Sequence, residues 1–243
     1  MKTRGVIGAV LLCVLTSASA QGTNEWGGAL GLTSDYVLRG LSQTRGKPAV
    51  QADLHWIHDS RWSVGAWGST IDLNPGPGPT LELNFYAALT QPLAHDWIAR
   101  LVATHYVYPN DAPGRRWDYD ELAASLSFRD RLVATVTWSP NLAGFGNGRY
   151  ESDRSALAYE LSAHVPWRQA WTFSAGAGYY DVSNLFYRGY KYWSAGATYA
   201  QERWQVNLAR LGTSSAAREM FGTEIANDRW SLDVQWRFQG PTF

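Results

Sequence analysis

Cysteine is nearly absent from this chain: Cys13 is the single one in 243 residues. It lies in a segment read below as export signal, without the small residues that a lipoprotein signal sets just before its cysteine. From residue 21 onward a disulfide framework and a thiolate metal site are therefore excluded. Lysine is almost as scarce, with only Lys47 and Lys191 after Lys2, so arginine carries nearly all the positive charge. Neither sign of charge is in excess, at 21 basic and 21 acidic residues. No polybasic tract occurs, which argues against nucleic acid as a partner. Long apolar runs are missing too, since nothing beyond residue 20 approaches eighteen apolar residues, so a transmembrane helix is excluded. A membrane β-barrel is not excluded, because its strands alternate and keep mean hydropathy low. His55, His58, His95, His105 and His164 are scattered, with no His-x-x-x-His or carboxylate cluster, so no metal and no cofactor are expected. Serines abound, but no spacing selects a Ser–His pair, and no catalytic residue is expected.

The first twenty residues have the order of a secretory signal. Lys2 and Arg4 give a positive start, Val6 to Leu15 an apolar core, and Ala18-Ser19-Ala20 an A-x-A cleavage site. Residues 1–20 are read as signal peptide, with the mature chain starting at Gln21. Residues 21–243 are read as one outer-membrane β-barrel domain, since no linker, charge run or low-complexity segment divides them.

What is abundant is aromatic side chains, 14% of the chain with 13 tryptophans, and period-two alternation. Leu30 and Leu32 oppose Ala29, Gly31 and Thr33. Val50, Leu54 and Trp56 oppose Gln51, Asp53 and His55. Leu81, Leu83, Phe85 and Leu89 oppose Glu82, Asn84, Tyr86 and Thr90. The pattern continues at 121–128, 132–139, 157–163, 171–177, 193–199, 204–208 and 230–238. In Arg61–Asp72 both faces carry apolar residues, and Trp67 fits either. In Trp97–Tyr108, Arg100 and Thr104 mark one inward face, though Val102 shares it. With these two segments the count is about twelve strands.

The connections alternate in length. His58–Ser60, Gln91–Asp96, Arg129–Arg131, Pro166–Ala170 and Gln201–Glu202 are short. Gly40–Lys47, Leu73–Pro79, Pro109–Trp117, Pro140–Glu151, Asp181–Gly189 and Gly212–Asn227 are long. Short turns at one end and long loops at the other, on an even strand number, predict an all-β, transmembrane up-and-down antiparallel barrel. A Greek-key sandwich would mix loop lengths at both ends. Trp26, Trp56, Trp62, Trp97, Phe128, Trp171, Tyr199, Trp204 and Phe238 mark the short-turn ends, where an interfacial aromatic belt is expected. Tyr36, Tyr106, Tyr108, Trp117, Tyr119, Trp138, Tyr190, Trp193 and Trp230 lie toward the long-loop ends.

The segment Ser34-Asp35-Tyr36-Val37-Leu38-Arg39-Gly40-Leu41-Ser42-Gln43-Thr44 resembles the N-terminal hallmark of the TorF porin family, long catalogued as the Gcw_chp proteins of unknown function. Gly65–Asp72 and Leu81–Ala87 resemble that family's next two strands. Tyr106-Val107-Tyr108-Pro109, Asp118–Glu121 and Ser139-Pro140-Asn141 echo it later. The resemblance implies an outer-membrane barrel with a porin role, and it carries over neither a substrate nor catalytic residues. Pro241 departs from the regular final strand expected before a terminal aromatic.

Polar residues on the inward face are the candidate pore lining: Asp35, Arg39, Asp53, His55, Glu82, Asn84, Glu121, Glu160, Asp233 and Arg237. Packing of a polar interior is the competing role for each. Arg39 is expected either at a constriction or, more in keeping with its place before Gly40, bracing Leu41–Lys47 against the wall. Strand 228–238 is expected to close against strand 26–39, bringing Asp233 and Arg237 near Asp35 and Arg39. Twelve strands give a backbone diameter of about 24 Å and a bore near 10 Å if no loop folds inward. Pro140–Glu151 and Gly212–Asn227 are long enough to constrict it. The leading function is passive diffusion of small hydrophilic solutes across the outer membrane. A plugged structural or adhesive barrel is the alternative, and a lipid-modifying barrel enzyme is less favoured. The partners are outer-membrane lipid and, during biogenesis, the outer-membrane assembly machinery, which reads a terminal aromatic, Phe243 or Phe238.

Overall fold

A computed structural model describes residues 24–73, 78–109, 117–146, 149–168 and 170–242. The expected signal peptide and Phe243 lie outside the described residues.

The chain forms β1 (Glu25–Thr33), a two-stranded hairpin β2 (Val37–Leu38) and β3 (Leu41–Ser42), then β4 (Ala49–His58), β5 (Trp62–Thr70), β6 (Leu81–Ala94), β7 (Trp97–Val107) and β8 (Tyr119–Phe128). There follow β9 (Leu132–Gly146), β10 (Arg149–Trp167), β11 (Trp171–Asp181), helix α1 (Ser183–Phe186), β12 (Tyr190–Gln201), β13 (Trp204–Thr213), helices α2 (Ser215–Phe221) and α3 (Thr223–Ala226), and β14 (Arg229–Thr242). β1 and β4 through β14 make a closed barrel of twelve antiparallel strands, in which β1 pairs with both β4 and β14. Closure satisfies every strand edge, which an apolar surround requires.

Alternation becomes a two-faced wall. Leu30, Leu54, Phe85, Leu101, Leu126, Leu161, Phe173 and Leu232 are exposed on the outside. Residues of the opposite parity, such as Thr33, Asp53, Asn84, Thr104 and Asn207, are buried inside. Trp67 falls on the inward parity and is buried there, as are Arg100, Val102 and Thr104 of β7. The short turns are tight: Asp59-Ser60 has φ of 57° and 53°, and Arg129-Asp130 has 54° and 53°. These angles sit at the centres of turns closed by Arg61 N–H to His58 O and Arg131 N–H to Phe128 O, and one further residue precedes the next ladder pair, His58 with Trp62 and Phe128 with Leu132.

Three expectations need correction. Pro140–Glu151 is not a long loop. β9 runs through Pro140 to Gly146, and β10 resumes at Arg149, with residues 147–148 outside the described set. The β9–β10 register shifts between Arg154 and Ala156, opposite Leu142 and Ser139. Pro140 lies in that irregularity, where its missing N–H costs no ladder bond. Pro241 does not end the last strand either, since Gln239 pairs with Gly27 and Thr242 with Glu25 across a register shift. The extra residue on β14 takes up the proline, as a bulge does. Finally, the aromatic residues near the long-loop ends divide. Trp138, Trp193 and Trp230 are exposed on the outside, whereas Tyr36, Tyr106, Tyr108, Tyr119 and Tyr190 are buried. Tyr106, Tyr108, Tyr119 and Tyr190 are core rather than girdle because they keep the parity of the inward residues, and Tyr36 is core because it lies in the connection after β1 that turns inward.

Candidate functional site

The connection from β1 to β4 decides the site. It turns into the barrel instead of standing outside it. Arg39 and Gly40 occupy the two central turn positions between paired Leu38 and Leu41, with φ of 50° and 79°. A side chain at residue 40 would set its Cβ 2.5 Å from Thr213 Cγ2 and 2.9 Å from Tyr192 Cβ. Glycine is therefore required by both angle and space.

Asp35 holds the base of the hairpin. Its carboxylate accepts from Ser42 Oγ at 2.5 Å, Thr44 Oγ1 at 2.8 Å and Arg229 Nη1 at 2.6 Å. The Asp35–Arg229 pair ties the hairpin to β14, with side chains only 5% and 12% exposed. Farther out, Arg45 meets Glu224 of α3 at 2.6 Å, and Lys47 meets Asp72 at 2.6 Å.

The tip reaches across the lumen. Arg39 donates from Nη1 and Nη2 to the two oxygens of Glu121 on β8, at 2.7 and 2.9 Å. The two side chains are 6% and 1% exposed. This parallel fork is the strongest geometry a guanidinium and a carboxylate can adopt. Glu121 also accepts from Tyr106 Oη at 3.1 Å and Ser139 Oγ at 2.8 Å. The Arg39 guanidinium lies 4.6 Å from the centre of the Tyr180 ring. Burial is the largest single influence and opposes the Arg39 charge, but Glu121 together with Tyr180 and Tyr106 outweighs it, and the guanidinium is held well above its ordinary pKa. Beside this pair, Glu82 of β6 accepts from Tyr36 Oη and Tyr108 Oη, each at 3.1 Å, and from Asn84 Nδ2 at 2.9 Å. Burial pushes the Tyr36 hydroxyl well above the tyrosine range, and the Glu82 charge adds to it.

Around these polar contacts the rings close. Tyr36, Trp67, Tyr106, Tyr108 and Tyr119 form one buried cluster with Ile71. Tyr106 and Tyr119 stack at 4.2 Å. Val182, Tyr190 and Tyr192 form a second cluster with Ala217 of α2 and Ala226 of α3, against which Leu41 packs. Glu82 and Tyr106 have no exposure at all, and Tyr190 has 1%. A bore of about 10 Å expected for an empty twelve-stranded barrel is thus absent at this level among the described residues. The first connection fills it, with α2 and α3 of 212–227 packing over the top.

Toward the short turns the lumen is polar and looser. Ser125, Thr135, Ser162 and Ser174 are only half-buried. His55 Nδ1 and Asp53 Oδ1 are 2.6 Å apart, and Tyr86 Oη donates to Asp53 Oδ2 at 2.9 Å. A small recess there is lined by His55, Arg61, Thr90 and Arg100, among others. Ser162 Oγ and His164 Nε2 stand 3.4 Å apart. His105 faces outward and meets Asp120 at 2.8 Å. Among the described residues no group of three or more His, Cys, Asp or Glu is placed to hold a metal.

All ten residues nominated from the sequence face the interior, yet not in the arrangement expected. Arg39, Glu121, Glu82 and Asn84 meet in the plug, and Glu160 approaches from β10 within electrostatic reach of Arg39 and Glu121. Asp53 and His55 pair separately. Asp35 and Arg39 belong to the connection, not to β1, which ends at Thr33. Asp233 and Arg237 do not join them. Asp233 sits opposite Thr33 and accepts from Asn207 Nδ2 at 2.9 Å, while Arg237 lies opposite Ala29, farther toward the short turns. The seam partner of Asp35 is Arg229, the next inward position before Ser231. The residues that sequence reading missed are Arg229, Ser42, Thr44, Ser139 and the tyrosines. Tyr106 shares parity with Thr104, and Tyr119 with Glu121, so the signal was the alternation itself.

Solved structures of other proteins share this fold. The NanC porin superposes with a TM-score of 0.54 at 10% identity, covering 88% of this chain and 97% of that one. An outer membrane channel from Pseudomonas putida F1 gives 0.52 at 9% identity, covering 92% and 97%. The KdgM porin gives 0.51 at 7% identity, covering 88% and 99%. At such identities the likeness is one of fold. No curated protein matches the chain in sequence. Residues 17–238 match a family described as bacterial protein of unknown function, and with nearly the whole barrel inside that match the chain belongs to the Gcw_chp family.

Proposed function

We propose that this barrel is an outer-membrane channel for small hydrophilic solutes, held closed at its long-loop end in this conformation by the hairpin that carries Arg39. The observation that carries the reading is the two-sided wall. Its outer face is apolar and exposed, while its inner face carries buried polar side chains and tyrosines with a few apolar residues such as Trp67 and Val102, and an apolar outside around a mainly polar inside is how a lipid-embedded, water-facing barrel is made. The solved barrels of the same fold are named as porins and an outer membrane channel. The half-buried serines and threonines near the short turns suit a vestibule for water and small polar solutes. Residues 1–20 would direct export, the short turns would face the periplasm, and the assembly machinery would read the terminal strand.

The filled outer half favours a second reading, a plugged barrel with a structural or adhesive role. Planar-bilayer recording separates the two. The channel reading expects discrete conductance steps from refolded protein, larger and more frequent when the hairpin 36–44 is replaced by a short glycine-serine link. No step above background from either protein would sink it and leave the plugged barrel.

A further inference from the structure

We infer that the pocket receiving the Arg39 guanidinium is a binding site for small guanidinium-type organic cations, and that Arg39 is its tethered occupant. The inference rests on the channel reading for its consequence in transport, but not for the binding.

The receptor belongs to the wall and only the ligand to the hairpin. Glu121 stands on β8, where Tyr106 from β7 and Ser139 from β9 fix its carboxylate. Tyr180 from β11 offers its ring face 4.6 Å from the guanidinium carbon. A carboxylate held square to receive two parallel N–H groups above an aromatic face selects a planar cation over a compact ammonium. None of these groups needs the hairpin to hold its place.

Charge points the same way. Glu82, Glu121 and Glu160 converge from three strands, and the guanidinium of Arg39 is the cation set among them. Asp35 and Arg229 already balance one another at the hairpin base. With the tip displaced, the level becomes a ring of carboxylates and tyrosine hydroxyls.

Unused bonding capacity is the independent observation. Arg39 Nε is buried and has no partner among the described residues, so the pocket engages only the terminal fork, which any guanidinium presents. The Tyr190 hydroxyl, on a side chain 1% exposed, also has no partner there, although Arg39 and Glu160 are its electrostatic neighbours. Buried polar groups ordinarily find a partner. A free cation, unconstrained by a backbone at φ 50°, has the freedom to reach that hydroxyl.

The test uses full-length barrels with Arg39→Ala and with Arg39→Gln, refolded in lipid vesicles and titrated calorimetrically with methylguanidinium chloride. Tetramethylammonium chloride is the comparison cation, and Arg39→Ala/Glu121→Gln the comparison protein. Expected is saturable binding to both single variants, about tenfold or more tighter than tetramethylammonium and lost or weakened about tenfold in the double variant. No saturable binding to either single variant, or equal binding to the double variant, overturns the site. Should neither single variant fold unaided, the readout becomes recovery of heat-modifiable barrel on refolding. Recovery with methylguanidinium and not with tetramethylammonium supports the site, and no recovery with either overturns it. Bilayer recording keeps the two readings apart. Conductance through Arg39→Ala that methylguanidinium neither blocks nor carries, with no binding, removes the site and leaves the channel. Saturable binding without conductance in any variant removes the channel and leaves the site.

Discussion

A guanidinium buried in a barrel lumen is tolerable only while its carboxylate stays in place. Arg39 and Glu121 are 6% and 1% exposed and joined by two hydrogen bonds. Removing one charge strands the other, which costs about 3–5 kcal/mol in buried pairs. Glu121→Gln should therefore lower the urea stability of the barrel in vesicles by about that much, and an unchanged midpoint would place the pair in water. The outer wall answers to a different rule. Leu101 is 49% exposed at the middle of β7, so Leu101→Arg should cost about 2–4 kcal/mol against lipid. Thr135→Arg, at a half-buried position in the looser half of the lumen, should cost much less. Equal losses in the two unfolding curves would contradict the assigned faces. Alternation made these faces legible at nearly every strand. It also contained the inward tyrosines, since Tyr106 keeps step with Thr104 and Tyr119 with Glu121. Their nearness to strand ends points the other way, since aromatic rings also gather at a membrane interface.

The hairpin shows why an element can be invisible in the sequence. Val37–Leu38 and Leu41–Ser42 are two residues each, too short to carry a period. Their inward course is settled by contacts distant along the chain, Asp35 with Arg229 and Arg39 with Glu121. Only Arg39-Gly40 gave a local sign, and it reads as any turn. Gly40→Val tests the element directly. It meets both a φ of 79° and a Cβ position 2.5 Å from Thr213 Cγ2. The hairpin should leave its seat, and single-channel recordings should show more frequent opening than wild type. Unchanged gating would mean that the tip is not what closes the lumen. The last strand is a second case. Phe238 lies against Gly28, where an added Cβ would come 2.5 Å from the ring. Phe238→Ala and deletion of residues 239–243 should each reduce the heat-modifiable folded barrel in outer membranes, the first through lost ring packing and the second through lost pairing to Gly27 and Glu25. Full recovery of folded barrel in both would show that closure needs neither.

At the scale of the whole molecule, strand number was the most legible feature, and connection lengths followed except at Pro140–Glu151, through which β9 and β10 extend. Closure demands that twelve amphipathic segments succeed one another without a break, and no local detail alters that. Whether the lumen is open was not legible, because it depends on side chains from opposite walls meeting in its middle. Export belongs to this scale as well. The mature protein is expected to begin at Gln21 and to fractionate with outer membranes. Intact mass is the check, and retention of residues 1–20 or a soluble periplasmic pool would overturn it. The hairpin tip is tied to the wall at both ends, with five residues between Arg39 and β1 and nine between Arg39 and β4. Arg39 therefore faces Glu121 at an effective concentration set by the tether, on the order of millimolar for short links. A solute competing for that carboxylate has to be abundant before it displaces the tip, so the tether would set the concentration range over which the barrel responds.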